Sequence, residues 1–182
     1  MDDTAVHIFW DNSNLFARAR ATCDDNGVGK QPGHRWELRL QFKALFDFAA
    51  AGRTVEKAVA VGSVPPELHQ IWSSLGSVGL IVDLQERGAE SGKEQGVDAG
   101  LRLEMMTSVL DRDVPAVAVL LTGDGGFREF ADRMIAKQWG VEVLSFSNGL
   151  SRNLRGIYKA HGAAASSSNS MIGTTRSLTF RM

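Results

Sequence analysis

One cysteine, four prolines and a single tyrosine occur in 182 residues. A lone thiol, Cys23, excludes an internal disulfide and a multi-cysteine metal site, and it suits a reducing compartment. No apolar run reaches the roughly 18 residues that a membrane-spanning helix needs, so no membrane partner is expected. Neither charge sign is in excess: 20 Lys and Arg stand against 21 Asp and Glu, for a formal net charge of -1. No global basic field therefore marks a nucleic-acid partner, and any RNA or DNA binding must come from a local patch. Met1-Asp2-Asp3 is acidic where a secretory signal would be basic, so a cytoplasmic location is expected. The four histidines, His7, His34, His69 and His161, are scattered without zinc-ligand spacing.

What is present is an alternation of apolar runs and helical patterns. The chain is 43% hydrophobic, enough for one domain with a sizeable core. Strands are predicted at residues 6–10, 55–61, 79–84, 117–121 and 141–146. The run Val117-Ala118-Val119-Leu120-Leu121 is apolar without alternation, as a doubly covered parallel strand should be. Helices are predicted at 15–21, 36–51 (stopped by Gly52), 65–74, 97–110, 127–139 and 151–158. Residues 22–34 and 85–95 are polar and read as loops, the first long enough to be a binding loop. From about residue 161 a Ser-rich run with little to bury reads as a disordered tail, leaving 1–160 as the folded domain. Strands alternating with helices imply a Rossmann-like three-layer sandwich with a mainly parallel sheet of about five strands. Right-handed crossovers bring every strand-to-helix turn to one edge of that sheet.

Two acids lie on that edge. Asp11 follows the first strand, in Asp11-Asn12-Ser13-Asn14, and Asp124 follows the fourth, in Thr122-Gly123-Asp124-Gly125-Gly126. Asp98, at the head of a helix, is a third candidate, and Glu104 a weaker fourth. Each has a plain alternative: a turn residue for Asp11, a helix cap for Asp98 and Asp124, a surface residue for Glu104. Within one regular helix, Glu104 would face largely away from Asp98. Carboxylates gathered in one cleft take up protons unless a cation balances them, and hard oxygen ligands select Mg²⁺ or Mn²⁺. Such a site suits metal-dependent phosphodiester hydrolysis. Other α/β chemistries lack their residues: there is no P-loop, no Gly-x-Gly-x-x-Gly and no Gly-x-Ser-x-Gly. Lys93 and Arg128 flank the acidic edge and could supply phosphate contacts, with Arg87, Arg102, Arg152, Arg155 and Lys159 as further cations, solvated surface charge being the plain alternative for each. Trp10, Trp36, Trp72 and Trp139 could stack on bases, although core packing suits most of them better.

Three blocks carry a family resemblance: Ile8-Phe9-Trp10-Asp11-Asn12-Ser13-Asn14, Gly96-Val97-Asp98 with Glu104, and Leu120-Leu121-Thr122-Gly123-Asp124-Gly125-Gly126-Phe127. Over roughly residues 5 to 160 the chain resembles NYN domains of the PIN-like nuclease superfamily, nearest to the LabA-like (DUF88) branch. The resemblance implies a PIN-like fold, a Mg²⁺ or Mn²⁺ site and endoribonuclease activity on RNA, single-stranded in our reading. It would make Asp11, Asp98, Asp124 and Glu104 the metal ligands. Asn12 or Asn14 would orient the first of them, or contact substrate beside Lys93 and Arg128. A homodimer is one assembly compatible with this reading. One departure stands out. Gly126 replaces the final Asp of the family's Gly-Asp-x-Asp-Phe block, which opens the alternative of a catalytically weak RNA-binding or regulatory protein. A metal-dependent phosphatase would need an acid at Ser13.

Overall fold

In the computed structural model, residues 4–25, 40–63, 69–85, 97–161 and 174–178 are described. Six strands form one sheet in the order β3-β2-β1-β4-β5-β6, every neighbouring pair parallel. They are β1 (Val6–Asp11), β2 (Val55–Ser63), β3 (Ile81–Gln85), β4 (Val117–Leu121), β5 (Gly140–Phe146) and β6 (Thr174–Leu178). Helices α1 (Asn12–Asp25), α2 (Phe42–Ala50), α3 (His69–Ser77), α4 (Val97–Leu110), α5 (Arg128–Ala136) and α6 (Arg152–His161) join them. A short 3₁₀ turn over Gly125–Phe127 leads into α5.

The central strands are apolar on both faces because both faces are covered. Alternate residues of β1 divide between two cores. Val6, Ile8 and Trp10 pack with Leu15 and Ala19 of α1, Ala49 of α2 and Trp72 and Leu75 of α3. Phe9 packs instead with Leu101 and Met105 of α4, Ala131 and Met134 of α5 and Leu154 and Ile157 of α6. β4 divides in the same way, with Val117, Val119 and Leu121 on one side and Ala118 and Leu120 on the other. This is the expected three-layer arrangement. Trp10, Trp72 and Trp139 are buried in it, so core packing accounts for all three. Trp36 lies outside the described residues.

Some boundaries differ from the sequence reading. α1 starts directly at Asn12 and runs to Asp25, longer than the expected 15–21. α2 covers only Phe42–Ala50 and ends through Ala51, which takes the left-handed conformation at φ 51° ahead of Gly52. The tail expectation is corrected at residues 174–178, which form β6 against β5. Thr174-Thr175-Arg176-Ser177-Leu178 offers little apolar area, so hydrophobic periodicity does not announce it. What recruits it is the backbone hydrogen-bonding edge of β5. The rest of the expected tail lies outside the described residues.

His7, near the start of β1, is buried edge-on against Trp139, with ring centroids 5.0 Å apart. Its Nε2 stands 3.5 Å from the Glu56 carboxylate, but neither ring nitrogen makes a hydrogen bond among the described residues. Burial, with Arg112 and Lys57 nearby, lowers its pKa from 6.5 to about 4. The folded protein therefore binds this proton less tightly than the unfolded chain does. The His7 contribution to stability is intact above pH 6.5 and lost as pH falls towards 4. Replacing His7 with Phe is expected to flatten the fall in melting temperature between pH 6.5 and 4. An unchanged slope would refute this role.

Candidate acidic site at the switch point

The order 3-2-1-4-5-6 reverses direction between β1 and β4, and the C-terminal ends of those two strands border the crevice where doubly wound sheets hold ligands. β1 ends in Asp11 and β4 leads into Thr122 and Asp124. The β1–β4 register pairs Trp10 with Leu121, which puts Asp11 beside Thr122. By alternation both lie on the sheet face that carries α4, so Asp11 and the helix bearing Asp98 share one side.

Asp11 is only 4% exposed. Its Oδ1 accepts the Asn14 backbone N–H at 3.0 Å and its Oδ2 accepts the Thr122 hydroxyl at 2.9 Å. Burial pushes its carboxyl up to about 6, against those two hydrogen bonds, and the nearby Asp98 and Asp124 charges push the same way. Asp11 thus senses both of the other acids. Asp124 caps the turn into α5: its Oδ1 accepts the Gly126 N–H at 2.8 Å, and its own N–H donates to the Thr122 hydroxyl oxygen at 3.1 Å. Cap and site member are one residue here, because the loop that needs a cap is the loop that crosses the crevice. Asp98 lies in the first turn of α4, with Arg102 one turn on at 3.5 Å.

Thr122 was not singled out from sequence. It joins both strand ends, donating to Asp11 while accepting from Asp124. A Thr directly before Gly-Asp was the signal available. Asn14 orients the site as well, since its Oδ1 accepts the Gly123 N–H at 3.0 Å.

The other candidates are placed elsewhere. Glu104 pairs with Lys57 at 2.6 Å, and Lys57 is registered with His7, near the opposite end of β1 from Asp11. Six residues along α4 carry Glu104 both round the helix and away from the acidic edge. Asn12 is buried, its Oδ1 accepting from the Trp10 indole at 3.3 Å, so it anchors a core side chain. Arg128 spends its guanidinium on Asp132 at 2.6 Å and on the Asn153 carbonyl at 2.9 Å, tying α5 to α6. Lys93 lies outside the described residues. Among the described residues no three acidic, His or Cys side chains close on one point as a ready metal cage. The donor set at this edge is nevertheless all oxygen, which fits a hard cation by ligand chemistry.

A doubly wound parallel sheet with acids at its switch point defines an α/β protein of the Rossmann-like class, with an acidic crevice where that class binds ligands. Within it, the NYN domain profile matches residues 5–158, and the chain belongs to this family, a branch of the PIN-like nuclease superfamily. The fold is similar to that of a crystallised protein of unknown function, VPA0982, from Vibrio parahaemolyticus RIMD 2210633. The TM-score is 0.60 at 19% identity, over 95% of this chain and 94% of that one, a likeness of fold. No curated protein matches the chain. Among the described residues no helix is long and apolar enough to cross a membrane.

Proposed function

We propose that the chain is a Mg²⁺- or Mn²⁺-dependent endoribonuclease acting on single-stranded RNA. The observation that supports this most is the buried Asp11 at the switch point, with Asp98 and Asp124 near enough to raise its carboxyl. A cation would relieve that repulsion. Asp11, Asp98 and Asp124 are the residues that would hold it; Mg²⁺ commonly takes one or two carboxylates and keeps several waters, so not all three need touch the ion. When bound, such an ion makes water a better nucleophile and steadies charge at phosphorus. The chain's own share is positional. Thr122 and Asn14 fix both oxygens of Asp11, and the Asp124 cap fixes the loop opposite.

The test is cleavage of an end-labelled single-stranded RNA with Mn²⁺ or Mg²⁺. Wild type should cut, chelation should stop it, and Asp124→Asn should lower the rate by about 10²-fold or more, the scale of losing one charge-stabilising group. Glu104→Gln should cut as well as wild type. Cutting that survives Asp124→Asn would refute the site. A wild type that binds RNA without cutting it would favour the second reading, a catalytically weak RNA-binding protein, for which Gly126 in place of the family's Asp is the support.

A further inference from the structure

Position 126 departs from the family pattern, and the structure fills its space from another element. A Cβ built on Gly126 would stand 2.6 Å from Arg102 Nη2 and 3.4 Å from Asp124 Oδ1. Arg102 comes from α4, one turn after Asp98, and reaches across the crevice to the loop after β4. Its guanidinium carbon lies 5.5 Å from the ring centroids of both Phe127 and Phe130. Two aromatic faces thus hold the stem and plane in place. The charge itself is only loosely matched. The contact with Asp98 is 3.5 Å, well beyond the 2.7–2.9 Å of a strong charge-assisted hydrogen bond. Nε is buried with no acceptor among the described residues. With Nε buried, the donors left to this aromatic-clamped guanidinium for a phosphate oxygen pair are its Nη nitrogens, on a side chain that is 31% exposed beside Asp98.

We propose that Arg102 is a catalytic residue that donates hydrogen bonds to the non-bridging oxygens of the scissile phosphodiester, a positive charge supplied by the chain itself. This rests on the ribonuclease reading above. In the hydrolysis, a water oxygen bonds to phosphorus and the P–O bond to the leaving sugar oxygen breaks with its electron pair. The attacking water gives a proton to solvent and the leaving oxygen takes one from solvent. Negative charge gathers meanwhile on the non-bridging oxygens, and the guanidinium stands where it can neutralise it. Gly126 leaves room for Nη2 in its present place, and a side chain there would shift it.

Three readouts test this on the full chain: RNA cleavage at saturating Mn²⁺, Mn²⁺ affinity by titration of the metal alone, and melting temperature. Arg102→Met keeps a long stem against Phe127 and Phe130. It should lower kcat by about 10²-fold, with Mn²⁺ affinity unchanged or tighter and melting within a few degrees of wild type. Gly126→Ala should lower kcat in the same direction without weakening Mn²⁺ binding. Millimolar guanidinium should restore part of the rate of Arg102→Ala. Wild-type kcat in Arg102→Met would overturn the proposal, as would a loss of kcat matched by an equal loss of Mn²⁺ affinity, which would mark a structural role. Cleavage absent from wild type would defeat the ribonuclease reading itself, and the Arg102 assignment with it.

Discussion

Asp11→Asn is expected to melt above the metal-free wild type at pH 8 while losing the proposed RNA cleavage. The Asp11 carboxyl is raised from 3.8 to about 6, by burial first and by Asp98 and Asp124 after it. The folded state therefore holds this proton more tightly than the unfolded chain. The Asp11 contribution to stability is fully present below about pH 4 and disappears as pH rises through 6. A shift of roughly two units corresponds to about 3 kcal/mol of strain at pH 8. Asparagine removes the charge but not the volume. It cannot accept both the Asn14 N–H and the Thr122 hydroxyl, which returns about 1 kcal/mol. A net gain of about 1–2 kcal/mol means several degrees in a domain of this size. The gain should vanish at pH 4, where Asp11 is protonated in wild type as well. A difference between the two proteins that ignores pH would refute the charge argument. The same comparison with Mn²⁺ present should reverse in sign, because the ion would stabilise only the wild type.

Gly123→Ala should be the most damaging small substitution in the loop. A Cβ at Gly123 would lie 2.1 Å from the Gly149 carbonyl oxygen, 2.6 Å from its carbon and 2.7 Å from Ser145 Oγ. Two of these are backbone atoms, and the backbone there is pinned: the Ser151 N–H donates to the Gly123 carbonyl at 2.9 Å, and the Gly123 N–H donates to Asn14. Neither partner can yield without parting the β4 loop from the segment before α6. A loss of about 3 kcal/mol or more is expected, at the upper end of overpacking costs. Gly76→Ala is the control, since Gly76 lies in α3 with nothing within 4 Å of an added Cβ. There alanine should add about 0.5 kcal/mol through helix propensity. Urea unfolding of both variants decides the matter: a Gly123→Ala stability within 1 kcal/mol of wild type would show that the loop has slack.

The parts of the fold that were legible are those governed by local patterning. β1 and β4 announced themselves because strands covered on both faces carry apolar residues on both faces, and Asp11 and Asp124 followed from standing just past them. β6 was not legible, because a Thr-rich edge strand is held by backbone pairing that no periodicity records. The misplaced polar residues share one cause. Asn12 and Arg128 looked available for substrate because their partners, the Trp10 indole and the Asn153 carbonyl, are set by tertiary packing. Glu104 could be doubted from helix geometry alone, yet its partner Lys57 comes from a strand no local reading would have chosen. Arg102 was visible only as one cation among seven. The missing side chain at position 126 was the clue, and reading it required knowing which neighbour moved in.

The chain's first strand lies in the middle of the sheet, and its two neighbours arrive at very different times. β2 follows within about fifty residues, whereas β4 begins at Val117. During synthesis, one flank of β1 can therefore be zipped early while the other waits for β4 to emerge. Thr122, the hydroxyl that clasps Asp11, belongs to the late side. No N-terminal fragment that stops before residue 122 can contain the acidic crevice, however well its first half folds. Proteolytic loss of the segment that carries β4 would leave β1 with Asp11 but without Thr122 and Asp124, so the order of the strands makes the acidic crevice a late-formed feature of the fold.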